Sequence, residues 1–330
     1  MQNGPSQNEL PPLPRRRFNW KAALSTALFL ALVALLAWYV AQNWDDMKRL
    51  TELSPGTVAL LLGLAALGCV MNSLYHLAIL LTYKLKLTLT DWMGVVCVSN
   101  AIAHVIPMRG DLLFTAAYYK RAKGLAYTRS VSMAAGNIVF GVAFSLLEIL
   151  AALLCMGLID GQWPPLMWLL LLAGALCLGA FAALSLLMER RGHVPKNKRV
   201  ADILTGFNAL LRDKTLLLRL LLCLTGGNLI RLLLYMVCFQ AAGLPVTFYQ
   251  ALFYTSVSWL SGIVAIVPGN VGIRESLMGA ATLLLGDVFA TGVAASLLER
   301  VAMMAAYFIF ALFFAVPVWR RGFSAKETSK

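Results

Sequence analysis

Two short stretches place a cation beside a carboxylate where the surrounding chain is apolar. In VSNAIAHVIPMRGDLL, Pro107 is followed by Arg109, Gly110 and Asp111; in VSWLSGIVAIVPGNVGIRESL, Pro268 and Gly269 are followed by Gly272, Arg274 and Glu275. The two lie about 160 residues apart, and such interrupted apolar segments at matching places in two halves point to a transporter's binding site. Backbone that leaves the helix cannot face lipid, because its N–H and C=O groups would go unpaired; it survives buried in protein or lining water. Both breaks are therefore expected to line a cavity. After the second, a helix is predicted to start near Ile273, so that its free N–H groups and Arg274 meet an anion. After the first, Asp111 is placed to cap the equivalent arm, with Arg109 beside the break. Two cationic points near mid-membrane suit a phosphate-bearing headgroup. The plainer alternative is mutual neutralisation, Arg109 with Asp111 and Arg274 with Glu275 or Glu299.

Further ionisable residues lie in apolar runs. Glu299 and Arg300 are adjacent, so on a helix they point about 100° apart and each needs its own partner. Arg231 is expected opposite Glu299 or Glu275, and Arg300 against the second break. Arg300 is grouped with Arg109, Asp111, Arg274 and Glu275 as facing substrate; Arg231, Glu299 and Glu148 are read as an ion-pair scaffold. Glu148 reads either as a proton carrier or as a carboxyl hydrogen-bonded to neighbouring spans. His76 and His104 read as proton relays or as polar packing residues. Asn72, Asn100, Asn137 and Asn228 can bridge helices by hydrogen bonds. GNVGIRES lacks the GK[ST] ending of a phosphate-binding loop, and no HExxH or GxSxG occurs, so no cofactor, metal site or catalytic residue is expected.

These residues must be held by spans. The chain has 330 residues, is 60% hydrophobic and only 13% charged, with a mean hydropathy of +0.76. A soluble domain carries about 25% charged residues, so the composition points to a polytopic helical membrane protein. The net charge of +13 sits in short loops beside the apolar runs, which suits the membrane surface rather than nucleic acid. The six cysteines fall in apolar segments without a CxxC pair and read as small buried hydrophobes.

Six segments look able to cross: Trp20 to Val40, Thr57 to Thr82, Ser130 to Gly157, Leu166 to Met188, Leu216 to Ala242 and Val288 to Trp319. Trp92 to Ile106 would reach only about 22 Å, short of a hydrocarbon core of about 30 Å. Basic residues fix the orientation. Arg15, Arg16, Arg17 and Lys21, then Lys84 and Lys86, then Lys120, Arg121, Lys123 and Arg129, then ERRGHVPKNKR, and finally Arg320 and Arg321 fall on one side only if both broken segments enter and leave the membrane from the same face. The expected fold is thus all-α, an inverted repeat of three spans plus a re-entrant helical hairpin in each half. Residues 1–19 read as a disordered cytoplasmic tail, 20–165 as the first repeat, 166–320 as the second, with a cytoplasmic segment 189–215 that is interfacial or extends the next span, and 321–330 as a cytoplasmic tail. Trp20 to Val40 is read as a retained span, and both termini as cytoplasmic at a cell (inner) membrane.

At PGNVGIRES, with LLERVAMMAAYF downstream, the chain resembles the membrane region of lysylphosphatidylglycerol synthases and their flippase-like relatives. Proline, a Gly-rich turn, the Gly-x-x-Glu of Gly272 and Glu275, and Arg300 in the last span carry the likeness. The first half departs from it: Gly110 is followed by Asp111 rather than Glu, Phe114 stands where the family shows Arg, and Asn137 lies near another common Arg. The resemblance implies movement of a lipid between leaflets: an anionic phospholipid, an aminoacyl lipid, a glycolipid or a hopanoid-type lipid. The soluble acyltransferase-like domain of the synthases is not found in the sequence, so a non-enzymatic translocator is expected rather than a complete synthase. The alternatives are a membrane-embedded transferase on a lipid phosphate, for which Asp111 with His104 is the candidate acid/base pair, and a non-catalytic subunit docking a lipid-modifying enzyme.

Overall fold

The computed structural model describes residues 52–81, 85–105, 110–125, 127–190, 214–263 and 270–323, with isolated positions at 34, 38, 41 and 42. The run from Trp20 to Val40 therefore lies almost wholly outside the described residues. Pro107, Arg109, Pro268, Gly269 and the segment 191–213 lie outside them altogether.

Among the described residues all secondary structure is helical. The helices are α1 (Pro55–Leu81), α2 (Val95–Val105), α3 (Gly110–Lys123), α4 (Tyr127–Asp160), α5 (Pro165–Arg190), α6 (Lys214–Ala241), α7 (Phe248–Ser261), α8 (Ile273–Leu284) and α9 (Phe289–Gly322). One wide π-type turn, Thr90–Gly94, leads into α2. α1, α6, α9 and the Ile138–Asp160 part of α4 are long and apolar enough to cross a membrane. α5 carries a shorter apolar stretch, Pro165–Ala180. Many large apolar side chains on these helices face outward, Leu158 at 78% exposure and Leu312 at 79%. Apolar surface on that scale calls for lipid, not water, as solvent.

α2, α3, α7 and α8 have 11, 14, 14 and 12 residues. None exceeds about 21 Å, less than the hydrocarbon core. They pack in pairs, α2 on α3 and α7 on α8, and the pairs are interlocked with the long helices: α2 also packs on α9, and α7 on α4. α1 and α6 lie together at the centre. Their contact is close because Gly226 has no Cβ; one placed there would come within 2.6 Å of the Met71 methyl. α8 and α9 approach still more closely, since a Cβ on Gly292 would meet the Met278 carbonyl at 2.5 Å.

Both helix pairs begin in the same way. Thr88 and Asp91 precede α2, and the Thr88 N–H donates to Asp91 Oδ2 at 2.7 Å. Thr247 and Gln250 open α7, where the Thr247 N–H donates to Gln250 Oε1 at 2.8 Å and the Gln250 N–H donates back to Thr247 Oγ1 at 3.4 Å. Each Thr-x-x-acceptor box satisfies N–H groups that a helix start leaves free. Each start is also tied to the end of the long helix that its pair packs against. Arg321 of α9 hydrogen-bonds Thr88 Oγ1, and Tyr249 of α7 donates to Asp160 Oδ1 at the end of α4 at 2.6 Å.

Candidate functional site: a polar cavity among the half-length helices

A cavity of about 370 Å³ opens between the two helix pairs, walled by Ser99, Asp111 and Thr115 on one side and by Ser261, Asn270 and Arg274 on the other, with Arg231 of α6 between them. A second cavity of about 210 Å³ lies along α1 and α6. The two share Asn72, His76, Asn100, Arg231 and Trp259 as a common wall. Arg231 is 29% exposed and faces both, whereas Arg274 is 15% exposed.

The second wall is built by the turn before α8. Asn270 has a φ of 56°, a left-handed conformation that Asn tolerates better than most residues, and Gly272 has a φ of 82°. Asn270 Nδ2 donates to the Ser261 carbonyl at 2.6 Å and so joins the end of α7 to the start of α8. α8 starts at Ile273, and the Gly272 N–H donates to Glu275 Oε2 at 2.8 Å. Glycine has no side chain to return the bond, so this is half a capping box. Glu275 Oε1 accepts from Arg300 Nε at 2.6 Å, and Arg300 Nη2 donates to the Asn270 carbonyl at 3.2 Å. Arg300 therefore reaches from α9 to the turn before α8 and to the first turn of that helix.

Arg274 turns the other way. Its Nη2 lies 2.5 Å from Glu299 Oε2, and Arg231 Nε lies 3.9 Å from Glu299 Oε1. Glu275 and Glu299 are both 0% exposed, so these charges are held by their partners and not by solvent. Three guanidinium groups meet two carboxylates in this cluster, which leaves one positive charge in excess.

The first wall is quieter. Ser99 Oγ donates to the Asp111 backbone carbonyl at 3.0 Å and lies 2.9 Å from Thr115 Oγ1, joining α2 to α3. α3 is described from Gly110, with Asp111 in its first turn. Arg109 lies outside the described residues.

Glu148 of α4 has a different setting. Asn228 Nδ2 of α6 donates to both of its oxygens, at 3.0 and 2.9 Å, and Ser256 Oγ of α7 donates to Oε2 at 2.9 Å. Asn72 Nδ2 donates to the Tyr307 hydroxyl at 3.0 Å, a bond from α1 to α9.

The outer end of the first pair holds a cluster that sequence reasoning passed over. Asp91 is 1% exposed; its carboxylate lies 2.7 Å from Lys123 Nζ and accepts from Tyr118 at 2.7 Å and from the Thr88 N–H and hydroxyl. Burial by itself would raise the Asp91 pKa, but Lys123, Thr88 and Tyr118 outweigh it and hold the carboxyl below the ordinary value. The sequence likeness of LKLTLTDW before the first break to GLPVTFYQ before the second sets Thr88–Asp91 against Thr247–Gln250, without singling out Asp91. A missed signal is a repeated tetrapeptide, SLLE, at 145–148 and 296–299, which puts Glu148 and Glu299 in the same local sequence. Asn270 and Ser256 carried no sequence signal beyond being polar in an apolar run.

A search of curated proteins and of solved structures finds no match to the chain. The family model for the lysylphosphatidylglycerol synthase TM region matches residues 22–312. With its long apolar helices and its half-length pairs around a polar cavity, the chain belongs to the lysylphosphatidylglycerol synthase transmembrane-region family and is a multi-pass membrane protein.

Proposed function

We propose that the protein is a non-enzymatic lipid translocator of a cell inner membrane, moving a lipid with an anionic headgroup between leaflets. The observation that carries this reading is the polar cavity between two pairs of helices too short to cross, with the guanidinium groups of Arg231 and Arg274 on its wall. A phosphate in the cavity meets Arg231, Arg274 and the N-terminal turn of α8, while the acyl chains stay in the bilayer. Asp111 on the opposite wall accepts from hydroxyl or amino groups of the same headgroup. Glu275, Glu299 and Arg300 keep the second break in shape. Each short pair is a re-entrant hairpin in this reading, and the two halves are inverted with both termini cytoplasmic. The reciprocal packing of α2 on α9 and α7 on α4, and the matching helix starts at Thr88 and Thr247, support the inversion. Rocking of one half against the other then exposes the cavity to each leaflet in turn.

The test is purified protein in liposomes with a fluorescent anionic phospholipid and an impermeant quencher outside. Wild type is expected to equilibrate the lipid faster than protein-free vesicles. Arg231→Gln should slow it by about 10-fold or more, the loss of one charge-assisted hydrogen bond to phosphate. Protein-free rates for wild type with every anionic lipid offered would remove the reading.

A further inference from the structure

Glu148 has no part in the reading above, and its surroundings set it apart. The other acids buried among the described residues have a cation against them: Asp91 has Lys123 at 2.7 Å, Glu275 has Arg300 at 2.6 Å and Glu299 has Arg274 at 2.5 Å. Glu148 has three hydrogen bonds from neutral donors instead. A partly buried carboxylate in a membrane span with no cation bonded to it is costly, and protonation relieves the cost only if the acid form is also satisfied.

The Ser256 hydroxyl satisfies both forms. Its oxygen lies 2.9 Å from Glu148 Oε2 and 3.1 Å from the Leu252 carbonyl, yet it has a single proton to donate. When Glu148 is ionised, that proton goes to Oε2. When Glu148 is protonated, the carboxylic O–H donates to Ser256 Oγ and the serine proton turns to Leu252. Asn228 donates to Oε1 in either case, so neither state strands a buried polar group. Asn228 also lines the smaller cavity with Arg231, which gives a proton a polar route in.

The charges around Glu148 are few. Arg231 stands three residues beyond Asn228 on α6, and the two line the smaller cavity together. α7 carries no charged residue; its titratable groups are Tyr249, bonded to Asp160, and Tyr254. In the apolar stretch of α5 the one titratable group is Cys177, which is exposed. α3 brings Asp111 to the cavity wall beside Ile138 of α4, and Lys120 over the Tyr127 ring at the start of α4.

We propose that Glu148 is a proton-binding site that makes lipid movement a proton symport. The inference rests on the translocator reading. Arg231 lies 3.9 Å from Glu299 and lines the smaller cavity together with the Asn228 that bonds Glu148, so it stands between the two carboxyls. An ionised Glu148 holds part of its charge; a protonated Glu148 frees it for the headgroup phosphate. The proton and the anionic headgroup therefore load together and leave together, and no net charge crosses. Because Glu148 joins α4 to α6 and α7, its protonation acts where the two halves meet.

The experiment uses full-length protein in liposomes, a fluorescent phosphatidylglycerol, an internal pH dye and an imposed pH gradient. In wild type, acidifying the compartment that the lipid leaves should speed transfer several-fold, and the dye should report protons moving with the lipid. Glu148→Gln retains the hydrogen bonds of the protonated form, so it should still equilibrate the lipid, at a rate indifferent to the gradient and without proton movement. Ser256→Ala keeps the acid but removes one donor to its ionised form, and should raise the pH of half-maximal transfer by about one unit. Wild type that moves lipid indifferently to the gradient overturns the inference while leaving the translocator reading standing. So does Glu148→Gln with a wild-type gradient response, or Ser256→Ala with an unmoved midpoint. Wild type that moves no lipid removes both.

Discussion

Glu148 of α4 and Glu299 of α9 end the same tetrapeptide, SLLE, yet their surroundings differ. Glu299 is fully buried with one guanidinium at 2.5 Å and a second at 3.9 Å. Glu148 is partly buried and meets an amide and a hydroxyl. Identical local sequence therefore gives an ion-paired carboxyl on one helix and one bonded by neutral donors on the other. The difference comes from what faces each glutamate. α8 and α6 bring Arg274 and Arg231 to Glu299; α6 and α7 bring Asn228 and Ser256 to Glu148.

The comparison breaks first on stability. Glu299→Gln strands Arg274 away from water and is expected to cost about 3–5 kcal/mol. Glu148→Gln, with neutral partners that suit an amide, should cost under about 1 kcal/mol. Thermal unfolding in detergent reads both; equal losses would mean that the two carboxyls are equally structural.

Removing the second clamp should come next in size. Arg300→Met leaves Glu275 buried with only the Gly272 N–H, and is expected to cost about 3 kcal/mol. Adding Glu275→Leu should recover about 1 kcal/mol or more of that loss, because no unpaired charge then remains. A double variant less stable than Arg300→Met would mean that Glu275 acts mainly through Gly272.

The smallest effect belongs to the outer end of the first pair. The folded-state pKa of Asp91 is lowered, so the stability it contributes is present above the unfolded value of about 3.9 and is lost as pH falls below it. Wild type should therefore lose more melting temperature than Asp91→Asn on going from about pH 5 to about pH 3. Parallel pH profiles would remove Asp91 from the account of how that pair is anchored.

Much of this arrangement was legible. The start of a helix at Ile273 and the all-helical membrane class follow from local patterns, because hydropathy, Pro/Gly punctuation and capping act over a few residues. The need of Glu299 and Arg300 for separate partners was legible too, since neighbours on a helix diverge by about 100°.

The choice among partners was not legible. The sequence offered Arg274 either Glu275 or Glu299, and offered Arg231 the same two carboxylates. The structure gives Glu299 to both, and Glu275 to Arg300. That choice depends on how α6, α8 and α9 are rotated and set against one another, which no segment encodes alone. Sequence by itself determined that this chain lives in a membrane, that it is helical, and where its helices must break, since transfer of each segment out of water depends on that segment's own composition. Only tertiary structure decided which buried carboxyls are paired with guanidinium groups and which one meets neutral donors. Those pairings join residues far apart in the chain, and they exist only once the helices have packed.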